Sequence, residues 1–303
     1  PIFEQGLENG ILTGETLKAV IKNTNIKPND YKNILDVPRP GHADYTAYVK
    51  YGSSVNMSGG GPFSGRMTAT LCILGGIALQ ILEKRGIYIG AHIVRIGDVE
   101  SEGFDPVNLS PKDFKKAQSS DFPAENPETA EKIKAEIEKY RQISDSVGGV
   151  AECGICGLPA GIGGPGTEGL ESRIAHLVFG IPAVKGIEFG AGFGAAQMSG
   201  SQNNDPFIIK DGQIRTETNN HGGILGGISS GMPLIFRAAF KPTPSIGLPQ
   251  ESVSLSRKTP ETLVINGRHD PCIVPRAVPV LEAAAAVAIL DVLMGEGAVS
   301  PRA

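Results

Sequence analysis

The residue types best suited to chemistry lie together in a short segment at positions 39–44, which reads RPGHAD. Its proline and glycine favour a rigid turn, from which Arg39 and His42 can project toward one point. Arginine binds carboxylate or phosphate groups through paired hydrogen bonds, and histidine can exchange a proton near neutral pH. The segment predicts an anion site with a proton carrier or, equally well, a surface turn closed by a salt bridge from Arg39 to Asp44.

Two glycine-rich segments extend this chemistry. The first, GGGPFSGR at positions 59–66, runs into a predicted helix, where backbone amides and Arg66 can bind an anion. No Gly-Lys-Ser/Thr sequence follows, so the segment is not a P-loop, and a flexible connector is the alternative. The second, NNHGGILGGISSG at positions 219–231, has closely spaced glycine pairs that predict a planar ligand lying against the backbone.

Two further segments carry charged residues beside proline. FKPTPS at positions 240–245 offers Lys241 and two hydroxyl groups on a stiffened strand, although a lysine alone is more often solvated. GRHDPC at positions 267–272 places Arg268 and Asp270 on one side of an extended chain. Arg268 would bind an anion, whereas Asp270 would either orient a proton carrier or pair with Arg268. Together these segments predict an anion-rich pocket that contains a proton-transfer group.

The four cysteines favour a structural role over metal binding. Cys153 and Cys156 form a CxxC pair that supplies only two ligands, and Cys72 and Cys272 do not stand at zinc-finger spacing. We therefore expect no metal site. Four cysteines without a regular framework in a chain of this length are typical of a reducing cytosol.

The composition narrows the class of protein. A chain of 303 residues with 40% hydrophobic and 20% charged residues can bury a large core and is not disordered. A net charge of -4 argues against a general nucleic-acid binder. The longest apolar stretch, residues 277–294, contains Glu282 and Asp291 and reads as a buried helix, so we expect no membrane partner. The N-terminal segment lacks the charged, apolar and small-residue succession of a signal peptide.

Periodicity predicts an α+β fold with helices and strands interleaved. The N-terminal 25 residues read as strand, turn, strand, and the segment 104–124 as a polar surface excursion. Asn126 is a predicted helix cap, with Ile133, Ile137, Tyr140 and Ile143 on the buried stripe. No Rossmann fingerprint is present. The predicted helices are residues 66–85, 126–144 (the helix capped by Asn126), 170–179 and 277–294. The predicted strands are residues 87–96, 148–152 and 187–193.

In this order the segments resemble chorismate synthase from residue 1 to about residue 294. RPGHADY, NNHGGILGGISSG, KPTPS and GRHDP are long and distinct, and residues 148–152 and 183–188 match family segments too. The resemblance implies a single domain over residues 1–303, built as a layered β-α-β sandwich with antiparallel sheets enclosing a helical core. It also implies a cytoplasmic homotetramer with a small-molecule substrate.

The implied reaction is the conversion of 5-enolpyruvylshikimate 3-phosphate to chorismate by 1,4-anti elimination of phosphate and a ring proton. The enzyme would be a carbon-oxygen lyase at the last common step of the shikimate pathway of aromatic amino acid biosynthesis. The family needs reduced FMN although the reaction has no net redox change. Because no separate nicotinamide-binding domain for NADP is apparent, we expect an external source of reduced flavin.

The resemblance also implies roles for single residues. His42 stands where the family has a histidine that protonates the flavin, and Asp270 where an aspartate helps the flavin N5 remove the ring proton. Arg39, Arg66 and Arg268 match arginines that hold the phosphate and carboxylates of the substrate. The implied flavin contacts are Pro62, Phe63, Ser64, Ala183, Gly226, Lys241, Pro242, Thr243, Pro244, Ser245 and Arg268.

The sequence departs from the family pattern in three places. Many members have Arg-Ser-Ser-Ala-Arg where this chain has PFSGR at positions 62–66, so its flavin contact would rely more on backbone amides. Pro182 replaces a common asparagine. A Gly-Glu-Ser-His-Gly-type motif and an arginine-rich stretch of the family's N-terminal segment do not occur, which predicts an N-terminally incomplete domain. The chain is then either part of an active enzyme or a truncated, catalytically impaired homologue that binds flavin or oligomerises.

Overall fold

The computed structural model describes residues 1–22, 36–52, 58–118, 122–265 and 269–296. The helices are α1 (Asp44–Tyr51), α2 (Thr68–Glu83), α3 (Pro111–Gln118), α4 (Pro127–Gln142), α5 (Leu170–Phe179), α6 (Gly200–Asn203) and α7 (Val274–Gly295). The strands are β1 (Ile2–Gln5), β2 (Leu7–Glu8), β3 (Ile11–Leu12), β4 (Lys18–Val20), β5 (Tyr88–Ile96), β6 (Val99–Glu100), β7 (Gly149–Cys156), β8 (Val184–Phe189), β9 (Phe207–Lys210), β10 (Gln213–Thr216), β11 (Ile224–Leu225), β12 (Ile228–Ser229), β13 (Leu234–Phe240), β14 (Gln250–Ser254) and β15 (Thr259–Leu263).

A five-stranded antiparallel sheet in the order β6-β5-β7-β13-β8 is the main layer of the fold. The central strand β7 places Cys153 opposite Ala91 of β5 and Phe236 of β13. Because side chains alternate along a strand, these three residues share one buried face. The α+β class is confirmed, with the antiparallel sheet packed against a helical layer.

Helix α7 is the centre of the helical layer and packs on the inner face of the sheet, on α2 and on α5. Its alanines, among them Ala283 to Ala286, are buried and let its backbone come close to its neighbours. Fully buried Leu281 contributes roughly 1.5–3 kcal/mol to stability. The helix begins at Val274, three residues before the predicted start, because Pro275 is accepted in the first turn.

The outer face of the sheet is covered by residues 104–114, which belong to the segment 104–124 that the sequence analysis assigned to a polar surface excursion. That prediction is wrong for much of the segment. The ring of Phe104 stacks on His92 with centroids 4.1 Å apart, and buried Phe114 meets Phe104 edge to face at 5.3 Å. Gly90 opens a groove for Phe114, since a Cβ on Gly90 would lie 2.4 Å from its Cδ1 atom. The polar residues between these two phenylalanines made the segment resemble a surface loop in the sequence.

The predicted cap and most of the predicted stripe of α4 are confirmed. The side chain of Asn126 accepts a hydrogen bond from the Thr129 N–H at 2.9 Å. Ile133 and Ile137 are buried and Tyr140 packs against the core. Ile143 is 57% exposed and the prediction for it is wrong, because the helix ends at Gln142 and the register is lost there.

The other element boundaries follow local turn chemistry. Helix α5 has the predicted bounds, and β5 begins one residue later than predicted. Strand β8 runs over Val184–Phe189 and not over 187–193, because Gly190 and Gly192 adopt positive φ angles and turn the chain. At the N-terminus β1 pairs with β4, as the strand-turn-strand prediction required.

The two cysteines of the CxxC pair lie on opposite faces of β7. Cys153 belongs to the inner core, whereas Cys156 packs beneath Phe104 and Phe114 on the outer face. Burial raises the pKa of the Cys156 thiol to about 11. The pair therefore cannot bind a common metal ion, and the structural interpretation is confirmed for these two residues.

Among the described residues, two stretches are long and apolar enough to cross a membrane by length and composition, Gly65–Glu83 and Val274–Gly295. In the most apolar part of Val274–Gly295, 61% of the residues are buried, so its composition is that of a core helix. In the corresponding part of Gly65–Glu83, 17% of the residues are buried, and this helix packs on α7 along one side. The absence of a membrane partner stays a prediction.

The contact between α2 and α7 generates a stability prediction. A Cβ on Gly75 would lie 2.4 Å from the Cα of Ala283, whereas a Cβ on neighbouring Gly76 would meet nothing within 4 Å. Gly75→Ala should therefore lower the free energy of unfolding by about 1–3 kcal/mol through overpacking. Gly76→Ala should be neutral or stabilise by up to about 1 kcal/mol. Denaturant unfolding of both variants measures this, and equal effects would show that the helices are not in close contact.

Candidate active site

A cavity of about 810 Å³ lies where five separate parts of the chain meet. Its walls come from the segment before α1, the segment before α2, the turn between α5 and β8, and the segment after β13, with the first turns of α7 closing one side. The volume is that of a small-molecule binding site.

Most of the candidate residues line this cavity. They are Arg39, His42, Pro62, Phe63, Ser64, Arg66, Ala183, Lys241, Thr243, Pro244, Ser245 and Asp270. Gly226 and Pro242 do not line it. Arg268 falls outside the described residues. The structure thus brings together segments that the sequence separates by more than 200 positions.

The amino ends of two helices point toward the cavity. Gly75 of α2 meets Ala283 of α7, and Thr68 and Arg276, each seven residues earlier in its own helix, both line the cavity. The two helices therefore run side by side in the same direction. Because a helix carries a partial positive charge at its amino end, this arrangement favours an anion in the cavity.

The RPGHAD segment forms a tight turn and then starts α1. Gly41 takes a positive φ of 72°, and the His42 N–H donates to the Arg39 carbonyl at 3.2 Å. The salt bridge expected for a surface turn is present, but it is buried, with Arg39 and Asp44 each 8% exposed. The turn is therefore a wall of the cavity and not a surface feature.

The guanidinium of Arg39 is bound to an internal carboxylate. Its Nε and Nη2 atoms donate to the two carboxylate oxygens of Asp44 at 2.7 and 2.8 Å, and Nη1 donates to Ser245 Oγ at 3.2 Å. Asp44 also accepts the backbone N–H of Arg39 at 3.0 Å. The edge of Arg39 suited to a substrate anion is thus occupied, and its role in substrate binding stays a prediction.

His42 lies against the same carboxylate. Its Nδ1 atom is 2.6 Å from Asp44 Oδ1, and its side chain is 14% exposed. Burial alone would raise the pKa of the Asp44 carboxyl, but the hydrogen bonds from Arg39 and then His42 outweigh burial and hold this pKa well below its usual range. Asp44 is consequently ionised at neutral pH.

Further cationic groups line the same cavity. The Nζ atom of Lys241 donates to the Gly41 carbonyl at 2.8 Å, which ties the KPTPS segment to the RPGHAD turn. Burial and then the nearby charge of Lys185 lower the pKa of Lys241. Arg66 follows Ser64, whose side chain caps the turn before α2 by accepting the Arg66 N–H at 3.3 Å.

Asp270 forms an ion pair with Arg276 in the first turns of α7. Sequence reasoning named Asp270 but missed Arg276, although an arginine just inside a predicted helix next to the GRHDP motif was a usable signal. It also missed Lys185, which lies within the matched segment 183–188, and Phe179, which lies four residues before it; both line the cavity. Arg268, the partner that the sequence analysis considered for Asp270, lies outside the described residues.

The glycine pairs of the 219–231 tract approach other parts of the backbone. A Cβ on Gly222 would lie 2.4 Å from the nitrogen of Gly190, and one on Gly227 would lie 2.1 Å from the carbonyl oxygen of Gly164. These two glycines thus make room for other parts of the backbone, whereas a Cβ on Gly226 would meet nothing within 4 Å. The planar ligand stays a prediction. Within the described ranges, no group of three or more His, Cys, Asp or Glu residues is placed to hold a metal ion.

Comparison with known proteins gives consistent matches. A family model for chorismate synthase matches residues 2–294. The chorismate synthase of Thermococcus kodakarensis is 46% identical over 294 residues, covering 97% of this chain and 81% of that protein. That of Lancefieldella parvula is 46% identical over 304 residues, covering 97% and 80%. A solved crystal structure of chorismate synthase superimposes with a TM-score of 0.64 at 30% identity, spanning 77% of this chain and 65% of that one.

The buried ion pair predicts a pH dependence of stability. Because the pKa of Asp44 is lowered in the folded protein, its contribution is complete above the unfolded pKa of about 3.9 and is lost as the pH falls toward the folded value. Asp44→Asn leaves Arg39 buried without its counter-ion, so it should cost about 3–5 kcal/mol near neutral pH. The difference from wild type should shrink on acidification below about pH 4.

Denaturant unfolding across a series of pH values measures this. Asp211→Asn is the matched control, since Asp211 lies in an exposed turn with a φ of 50°, which asparagine also tolerates. Its stability should follow that of wild type at every pH. A difference between Asp44→Asn and wild type that stays constant down to pH 3 would attribute the loss to packing and contradict the charge argument.

Proposed function

The chain belongs to the chorismate synthase family, a family of lyases, and from this premise we propose that it converts 5-enolpyruvylshikimate 3-phosphate to chorismate by 1,4-anti elimination of phosphate. One observation carries the proposal. The RPGHAD, PFSGR, KPTPS and HDP segments, which were recognised separately in the sequence, line a single cavity of about 810 Å³. The same premise favours one domain over residues 1–303.

The charge of the cavity supports an anionic substrate. The substrate of the implied reaction carries a phosphate and two carboxylates. Although the whole chain has a net charge of -4, Arg66, Lys185, Lys241 and Arg276 all line the cavity. Partial exclusion of water strengthens their attraction for a departing phosphate. Concentrated positive charge in an acidic protein is best explained by an anion that binds there.

The cavity also fits the phosphate of reduced FMN. Among the described residues, the buried hydroxyl of Thr243 has no hydrogen-bond partner, which leaves it available to a phosphate oxygen. The lowered pKa of Lys241 reflects burial and then repulsion from Lys185. The negative charge of a bound phosphate would offset both effects. Lys241, Thr243 and Ser245 would hold the phosphate, and Ala183 with residues 62–64 would contact the ring. When bound, reduced FMN supplies electron density to an elimination that has no net redox change.

Proton transfer is assigned to two residues of the cavity wall. The elimination breaks a ring C–H bond and a C–O bond, so one proton and one phosphate leave. His42 is largely buried beside the ionised carboxylate of Asp44 and can hold or release a proton at Nε2, the ring nitrogen that does not contact Asp44. Asp270 provides a carboxylate whose position is fixed by Arg276, and it assists removal of the ring proton.

Location and assembly follow from the same premise. We propose a cytoplasmic enzyme, which four free cysteines support because a reducing compartment keeps thiols unpaired. We propose a homotetramer, since the β9–β10 hairpin exposes Phe207, Ile209 and Ile214 by 70%, 81% and 75% and such an apolar patch is suited to self-association. The flavin would be reduced by an external NADP-dependent source.

The activity is tested anaerobically with the substrate and reduced FMN. Wild type should form chorismate, and His42→Ala should lower kcat by roughly 10²–10⁴-fold, the usual contribution of a general acid or base. His176→Ala, at an exposed position of α5, is the control and should keep wild-type activity. Flavin binding without chorismate formation by a folded wild-type chain would instead favour the impaired, flavin-binding homologue.

A second test concerns the flavin phosphate alone. Lys241→Met should weaken FMN binding by about 10- to 100-fold, the loss of one hydrogen bond to a charged group. Lys210→Met, on the exposed hairpin, should bind FMN like wild type. Titration monitored by quenching of flavin fluorescence measures both dissociation constants. Equal affinities in the two variants would exclude Lys241 from the phosphate site.

A further inference from the structure

We propose that Asp44 is a positioning residue that holds His42 in the tautomer with its proton on Nδ1, and that Arg39 serves to hold Asp44 and does not bind the substrate. The inference rests on the proposed function for its catalytic consequence, but its structural content does not depend on turnover. It assigns a role in the site to Asp44, which the sequence analysis considered only as the salt-bridge partner of Arg39 in a surface turn.

The tautomer follows from the hydrogen-bonding capacity of the two groups. His42 Nδ1 lies 2.6 Å from Asp44 Oδ1. An ionised carboxylate can only accept hydrogen bonds, so Nδ1 must be the donor. A neutral imidazole carries one proton, and Nε2 is then left with a lone pair. Nε2 is therefore the nitrogen that can exchange a proton with a ligand in the cavity.

The carboxylate itself is fixed by Arg39. Three donors of Arg39, its Nε, Nη2 and backbone N–H, bind the two oxygens of Asp44 at 2.7 to 3.0 Å. Both side chains are 7% exposed, so water does not compete for these bonds. Ser245 binds Nη1 of Arg39 from the KPTPS segment at 3.2 Å. A chain of hydrogen bonds from Ser245 through Arg39 and Asp44 to His42 thus connects two walls of the cavity.

Arg39 also restricts the imidazole directly. Its Nη2 atom lies 3.0 Å from Nδ1 and 3.3 Å from Nε2 of His42. One atom cannot be aligned with both ring nitrogens, so Arg39 lies beside the ring and limits its rotation. For a substrate anion to take the paired donors of Arg39, it would have to displace Asp44 and leave a buried carboxylate unpaired, which is strongly unfavourable.

His221 provides an internal contrast with the opposite geometry. The backbone N–H of Gly223 donates to its Nδ1 at 2.9 Å, so Nδ1 is the acceptor and the proton of the neutral ring lies on Nε2. Nε2 faces Asp205 Oδ2 at 3.5 Å. Two histidine–aspartate pairs in one chain are thus expected to show different tautomers, which can be measured in a single sample.

The test is a long-range ¹H–¹⁵N correlation spectrum of the protein labelled with ¹⁵N-histidine, recorded without ligand at about pH 8.5, where an ordinary histidine is neutral. With five histidines in the chain, the signals of His42 and His221 are identified by their loss in His42→Ala and His221→Ala. We expect the Nδ1–H pattern for His42 and the Nε2–H pattern for His221. An Nε2–H pattern for His42 in wild type overturns the proposal.

Asp44→Asn and Arg39→Lys test the two roles separately. Asp44→Asn should shift His42 toward the Nε2–H pattern and lower kcat by on the order of 100-fold, with little change in KM. Arg39→Lys, which keeps the charge but not the paired donors, should lower kcat more than it raises KM. An unchanged His42 spectrum in folded Asp44→Asn, or an effect of Arg39→Lys confined to KM, would contradict the assignment.

A matched control and a second readout keep the outcomes distinct. Asp205→Asn should alter the spectrum of His221 and leave that of His42 unchanged. If Asp44→Asn does not fold, the wild-type spectrum alone still decides the tautomer. If wild type shows the expected tautomer but forms no chorismate, the proposed function fails and the positioning of His42 by Asp44 stands.

Discussion

The close packing of α7 against its neighbours is the constraint on which the rest of the structure depends. Its alanines allow the helix to lie on the inner face of the sheet, and the contact of Ala283 with Gly75 allows α2 to run beside it in the same direction. Both amino ends then open onto one cavity. A larger side chain along this seam would separate the helices and displace the residues that precede each of them.

The cavity combines two kinds of electrostatic arrangement. Arg39, Asp44 and His42 form a group in which the buried charges of Arg39 and Asp44 are paired with each other. Lys241 and Lys185 form the opposite arrangement, since burial and mutual repulsion both disfavour the charge of Lys241. The first group is organised before a ligand arrives, and the second favours an anionic ligand. Together they suit a reaction in which phosphate is released and a proton is transferred.

Features that depend on neighbouring residues could be predicted from the sequence, whereas features that depend on distant residues could not. The Asn126 cap and the α5 boundaries were predicted correctly because they depend on neighbouring residues. The covering of the outer sheet face was missed because it depends on Gly90, distant along the chain, which makes room for Phe114. The 219–231 glycines were read as a ligand surface, but glycine serves equally well where two backbones meet, and the sequence does not distinguish these cases.

The sequence by itself determined the family, the α+β class and the segments that would form the site, because long motifs and helix caps are encoded in consecutive residues. Tertiary structure decided how those residues are paired. It buried the Arg39–Asp44 pair in the wall of the cavity, placed Arg276 beside Asp270, and left Gly226 out of the cavity lining. Such pairings depend on burial and on distances between remote segments. The RPGHAD segment could therefore be recognised from its letters, whereas the work of its arginine followed only from the folded chain.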